Sequence, residues 1–170
     1  MWLWLFRPLR FLADAVRETT TPTQIGWGIA LGMAVGIVPK DNLLAFGLGI
    51  VLFAANVNLP AGMLSALAFS VLGSFLDSTA DRIGTFVLTN ATLQPYWTTL
   101  YEQPLVPWTK FNNTIVMGQF LLAIALLYPV YLGGYKVAEK YVPKIEEKLK
   151  KYRLYHLLFG ADLASTWRVG

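Results

Sequence analysis

Residues 21–58 read TPTQIGWGIALGMAVGIVPKDNLLAFGLGIVLFAANVN, and the fold turns on how this stretch is read. Two uncharged apolar runs, rich in Gly and Ala, flank a four-residue polar tip, Pro39-Lys40-Asp41-Asn42. Thr21 suits an N-cap, Pro22 the first helical position, and Gln24 completes a capping box. The first helix is therefore expected over 22–38, where Pro39 stops it. Asn42 can cap a second helix over 43–57. The first of these helices would be roughly 25 Å long at 1.5 Å per residue, and the second is just as short, whereas a hydrocarbon core of roughly 30 Å usually takes about 20 residues. The pair is either two thin spans or a re-entrant hairpin whose tip stops inside the membrane, where irregular backbone survives only if protein or water covers it.

The totals agree with a membrane setting. The chain has 170 residues, 55% of them apolar and 14% charged, against roughly 25% charged in an ordinary soluble domain. A soluble fold of this size has too little interior for so much apolar surface. With no Cys, disulfides and thiolate metal sites are excluded.

Outward from the hairpin, residues 59–76 form a third apolar helix, followed by Asp77, Asp81 and Arg82. Ile83–Leu88 either continues that helix or dips into the interface, and 83–111 is expected as an external loop. Pro95, Pro104 and Pro107 break its second part, and Tyr96, Trp97, Tyr101, Trp108 and Phe111 suit a membrane surface. Residues 112–135 hold the plainest span, with no charge from Thr114 to Gly133. The membrane domain thus covers 19–135. Residues 1–18 read as an interfacial amphipathic helix, with Trp2, Leu5, Phe6, Leu9, Leu12 and Val16 on one side and Arg7, Arg10, Asp14 and Arg17 on the other. A cleaved signal is the rival reading, but its positive charge should precede the apolar residues and here it follows them. Residues 136–170 form a basic tail, amphipathic and interrupted near Pro143. The fold class is an all-α integral membrane protein: a short-helix hairpin plus two further membrane helices, flanked by N- and C-terminal amphipathic helices. Lys and Arg gather at both ends, which puts both termini in the cytoplasm and the 83–111 loop outside.

Helices in lipid associate by close packing of small residues. Gly28, Gly32 and Gly36 lie four apart and make one bare stripe; Gly62, Ala66, Ser70, Ser74 and Ser78 make another. Pro22 and Pro60 precede the two stripes at equivalent points, 38 residues apart, which hints at a duplicated helix unit. Equally, any packed membrane helix accumulates small residues at this spacing.

Two polar groups are candidates for function. Pro39, Lys40, Asp41 and Asn42 form the tip: Lys40 and Asp41 could pair, or hold an anionic head group and a cation. The alternative is a plain exposed turn. Asp77 and Asp81, four apart with Arg82 adjacent, are either a carboxylate pair for a proton or cation or a helix end meeting the interface. Gln119, the strongly polar side chain of the last span, suits an interhelical hydrogen bond. Asn58 suits a cap and Asn56 a turn. His156 has no Cys and no clustered carboxylate near it, so no metal site is expected. No phosphate loop, nucleophile elbow or dinucleotide fingerprint occurs; no catalytic residue and no cofactor are expected, and the basic ends suit anionic lipid head groups better than nucleic acid.

The run TPTQIGWGIALGMAVGIVPKDNLL, with Pro22, Gln24, Gly28, Gly32, Gly36, Pro39, Lys40 and Asn42, resembles the signature of the DUF2062 family of bacterial inner-membrane proteins. The short length and basic tail are similar to its small stand-alone branch. The resemblance implies a bacterial cytoplasmic membrane and supplies no activity or catalytic residue. Members of that branch are encoded beside a large envelope protein, which implies a role as its membrane partner. The leading expectation is a non-enzymatic inner-membrane subunit that anchors or assists a larger envelope protein, in lipid handling or transport. The alternative is a small homo-oligomeric transporter or channel using Lys40, Asp41, Asp77 and Asp81.

Overall fold

The computed structural model describes residues 21–151, and every element among them is helical. In chain order these are α1 (Pro22–Ile37), α2 (Leu43–Ala54), α3 (Leu59–Phe75), α4 (Asp77–Leu88), α5 (Gln94–Tyr101), a 3-10 turn at Val106–Thr109, and α6 (Thr114–Lys151). The interfacial helix expected over 1–18 and the tail beyond 151 lie outside the described residues.

Local rules set the starts of the first three helices. The Thr21 hydroxyl accepts from Gln24 N while Gln24 Oε1 accepts from Thr21 N, which is the capping box. Asn42 Oδ1 accepts from Ala45 N, and Asn58 Oδ1 from Ala61 N. Both α1 and α3 carry Pro in their first turn, where the missing N–H is no loss. Gln24 also donates to Asn56 Oδ1, tying the start of α1 to the turn before α3.

α1 is the axis of the molecule. Ile25, Ala30, Met33, Ala34 and Ile37 are all buried, and α3 and α6 lie against it. Its glycines explain how close α3 comes. A Cβ added at Gly28 would meet Asn58 O at 2.5 Å, one at Gly32 would collide with the Gly62 carbonyl, and one at Gly36 would stand 2.7 Å from Ala66 O. The register rises together on the two helices, so α1 and α3 run parallel. Ser65 Oγ donates to Ile29 O across the same seam at 2.7 Å. α6 runs the other way. Gly134 lies against Gly26 and Ile29, Trp27 stacks on Tyr131 with ring centroids 4.5 Å apart, and Gln119 reaches Gly73 near the far end. Because α1 and α3 are parallel, α2 must return the chain.

The region after α3 differs from the sequence expectation. The chain bends by 76° between α3 and α4, and α4 continues as helix to Leu88, with α5 following inside the stretch expected as loop. Pro95 sits in the first turn of α5 and so starts a helix where it was read as a breaker. Trp97 and Tyr101 each pack on Phe111, and Trp97 Nε1 donates to Val87 O; Tyr96 and Trp108 are exposed. α4 crosses α6 where Gly84 meets Thr114 and Gly118 meets Ala80, both so closely that no side chain fits. α6 also outruns its expected end at 135, passing through Pro129 and Pro143 to Lys151. Its segment Thr114–Ile145 is long and apolar enough to cross a membrane.

Candidate functional site

A polar cavity of about 300 Å³ lies at the end of the bundle where α1 stops, α3 bends and α6 begins. It is lined by Gly36, Ile37, Pro39, Lys40, Ser70, Ser74, Asp77 and Gln119. The fold thus joins two residues of the polar tip, Pro39 and Lys40, one of the acidic cluster, Asp77, and three of the small-residue stripes, Gly36, Ser70 and Ser74, with Gln119 from far along the sequence.

Gln119 is the pivot. It is 2% exposed. Its Nε2 donates to Asp77 Oδ1 at 2.6 Å and to Gly73 O at 3.2 Å. The α3–α4 bend interrupts the helical hydrogen-bond ladder, and Gln119 supplies a donor to Gly73 O there. Both neighbours of Nε2 are acceptors, so the amide cannot be turned round without setting oxygen against oxygen. That leaves Gln119 Oε1 buried and without a hydrogen-bond partner. A buried acceptor left unpaired costs about 1–3 kcal/mol, so it asks for a donor. Asp77 opens α4, where a carboxylate is favoured by the helix dipole. Its Oδ1 is taken by Gln119.

Lys40 stands at the cavity's rim. Its Nζ donates to Gly36 O and Val38 O, each at 2.6 Å. It closes the C-terminus of α1, where the last carbonyls lack helical partners and a cation is favoured. An ammonium has three protons, and these two bonds leave one over. Lys40 also lines a second, apolar groove of about 550 Å³ with Ala45, Phe46, Gly49, Ile50, Phe53 and Ala54 of α2.

The other candidates go elsewhere. Asp41 pairs with Lys110 at 2.5 Å rather than with Lys40, both side chains being well exposed. The hydrogen bond and charge of Lys110 hold the Asp41 carboxyl below the usual carboxylate range. Asn42 is buried and used locally, its Nδ2 donating to Pro39 O and its Oδ1 capping α2. Asp81 leaves the acidic cluster and accepts from the Thr114 hydroxyl at the start of α6. Arg82 is exposed. Asp77 and Asp81 therefore act apart: Asp77 sits at the bend and meets Gln119, while Asp81, one turn on, meets the foot of α6. Gly84 and Gly118, which set the α4–α6 crossing, were not singled out in the sequence. The spacings Ala80-x-x-x-Gly84 and Thr114-x-x-x-Gly118 are the signal that could have found them.

The sequence profile of a bacterial family described as "uncharacterized protein conserved in bacteria (DUF2062)" matches residues 7–146. The chain belongs to this family. The DUF2062 match takes in every residue of the cavity. A protein of Treponema pallidum (strain Nichols), itself described as an uncharacterized protein, is 28% identical over 160 residues, covering 94% of this chain and 98% of that one. No solved structure matches.

Proposed function

We propose that the chain is a multi-pass protein of the bacterial cytoplasmic membrane that works as a non-enzymatic membrane subunit, anchoring or assisting a larger envelope protein in lipid handling. The carrying observation is the uncovered apolar surface of α2 and α3. Leu67 and Phe75 on α3 are 69% and 79% exposed, and Phe46 and Phe53 on α2 are 66% and 62% exposed. Soluble monomers rarely expose contiguous apolar patches beyond a few hundred Å², and lipid or a partner's membrane helix is the natural cover. The connectivity supports one topology. With α1 and α3 parallel and α6 antiparallel, the start of α1 and the lower half of α6 share one end of the bundle, as two cytoplasmic termini require. α2 has 12 residues, about 18 Å of helix, so it reaches only part of the way through a hydrocarbon core of about 30 Å.

Extraction in mild detergent tests the subunit reading. Co-purification with a large envelope protein is the expected result. Recovery of the chain alone, under conditions that keep other membrane complexes intact, would overturn it. The second reading, a small oligomeric transporter, draws support from the cavity. Of its four proposed residues, Lys40 and Asp77 line that cavity, whereas Asp41 and Asp81 bond outside it. If Asp77→Asn leaves solute flux in proteoliposomes unaltered, that reading is lost.

A further inference from the structure

Two cavities meet at one side chain. Lys40 lines both the polar cavity under the α1 terminus and the apolar groove along α2. The polar cavity is lined by an acidic side chain, Asp77, two hydroxyls, Ser70 and Ser74, and Gln119, whose Oε1 is buried and unpaired. The groove is walled by Phe46, Ile50 and Phe53, and the lack of a side chain at Gly49 leaves open space between them. A ligand that matches this order carries a cationic N–H donor at one end, an anion in the middle and a hydrocarbon chain at the other.

We propose that the site binds a phospholipid whose head group bears a primary ammonium, of the phosphoethanolamine type. The ammonium lies in the polar cavity, donating to Gln119 Oε1 and facing the Asp77 carboxylate. The phosphate lies at Lys40 and accepts a hydrogen bond from the Nζ–H that the α1 carbonyls leave unused. One acyl chain runs along the α2 groove. A primary ammonium has three N–H donors and can satisfy the buried acceptor; a quaternary ammonium has none and leaves it unpaired. A head group with no cation leaves Asp77 facing the phosphate, and like charges repel. The site therefore selects by head group and would seat the lipid with its polar end at the tip of the bundle. This rests on the membrane placement proposed above and is independent of any partner protein.

The test uses the full-length chain in mild detergent, with binding of short-chain phosphatidylethanolamine, phosphatidylcholine and phosphatidylglycerol read by native mass spectrometry. The expected result is a preference of about tenfold or more for the ethanolamine lipid, since one satisfied buried acceptor is worth about that in affinity. Gln119→Leu and Asp77→Asn are each expected to abolish the preference, and Lys40→Gln to weaken all three phosphate lipids alike. Ser74→Ala removes one of the two hydroxyls that line the cavity at an exposed position; it is expected to reduce the preference without loss of fold, and it keeps the test open if the Gln119 variant misfolds. Equal binding of the three lipids by the wild type would overturn the proposal, as would a preference that survives Asp77→Asn. Free phosphoethanolamine binding as tightly as the lipid would also overturn it, because the groove would then contribute nothing. An alkaline wash of membranes tests placement separately: a chain that stays embedded yet shows no head-group preference defeats this proposal alone.

Discussion

α1 and α2 form one hairpin, both are apolar, and both carry repeated glycines, yet their glycines have opposite surroundings. On α1, Gly28, Gly32 and Gly36 are pressed against the backbone of α3. On α2, Gly47 and Gly49 have nothing within 4 Å of an added Cβ. The first set permits a close approach of two helices, which is how association proceeds where lipid and side chains are equally apolar. The second set packs against nothing among the described residues. Gly49 of this set lines the apolar groove with Lys40, and its missing side chain keeps the surface of α2 low there. The same residue type builds the scaffold in one helix and leaves room on the other.

The sharpest way to break this contrast is Gly32→Val. The obstructing atoms belong to the Gly62 backbone, so no side chain can turn away and the helices must separate. Overpacking of this kind typically costs 1–3 kcal/mol and occasionally more, and a loss of at least about 3 kcal/mol is expected here. Unfolding followed by tryptophan fluorescence in detergent checks it, because Trp27 stacks on Tyr131 across the α1–α6 contact. A variant as stable as the wild type would mean that the α1–α3 seam is not closed.

A middle-sized effect belongs to Gln119→Leu. The substitution removes the donor shared by Gly73 O and Asp77 and also the unpaired Oε1. Interhelical hydrogen bonds in membranes are worth about 0.6–2 kcal/mol, and removing an unsatisfied acceptor returns part of that, so a loss of about 1 kcal/mol is expected. A loss as large as that of Gly32→Val would mean that the bend between α3 and α4 depends on Gln119 for its existence.

What could be read in the sequence divides along the same line. Thr21 with Gln24, Asn42, Asn58 and Pro39 act over three or four residues, so the caps and the stop of the hairpin follow from local chemistry, and the small stripes follow from a spacing of four. The cavity has no such signature. Lys40, Ser70, Ser74, Asp77 and Gln119 come from the end of one helix, two faces of a bend and the first turns of another. They meet because α1 and α3 are parallel, a register that no spacing encodes. Helical periodicity puts Asp77 and Asp81 on one face, and both do bond from α4 to α6, but to different residues of it, Gln119 and Thr114. α5 was missed because Pro95 reads as a breaker until its place in a first turn is known. The end of α6 is misplaced at 135 because the basic tail reads as a separate element interrupted near Pro143, whereas one helix runs through Pro143 to Lys151.

A smaller effect of opposite sign is expected on α2. Gly49→Ala should stabilise the helix by roughly 0.5–1 kcal/mol, since glycine gives up more chain freedom on folding than alanine does and nothing obstructs the new methyl group. The same change narrows the groove. A rise in melting temperature together with weaker lipid retention would separate the two roles of α2. A rise with lipid retention unchanged would show that the groove near Gly49 is unused.

The smallest effect concerns the tip itself. Asp41 and Lys110 join the α1–α2 connector to the segment before α6 at 2.5 Å, and both are exposed, where ion pairs contribute little. Lys110→Gln should leave global stability unchanged within error while speeding amide exchange between 105 and 113. The pH dependence has a definite sign. The Asp41 carboxyl is held below its usual range by Lys110, so folding depresses its pKa. The clamp is therefore present in full above the unfolded-state value of about 3.9 and is lost as pH falls through the lowered folded value. Exchange in this segment should be constant from neutral pH down to mild acid, once corrected for the intrinsic rate, and should rise only below that; in Lys110→Gln the step should vanish. A step near neutral pH would assign the clamp to some group other than Asp41, and the connector that carries Lys40 would then be anchored by a contact on its other side.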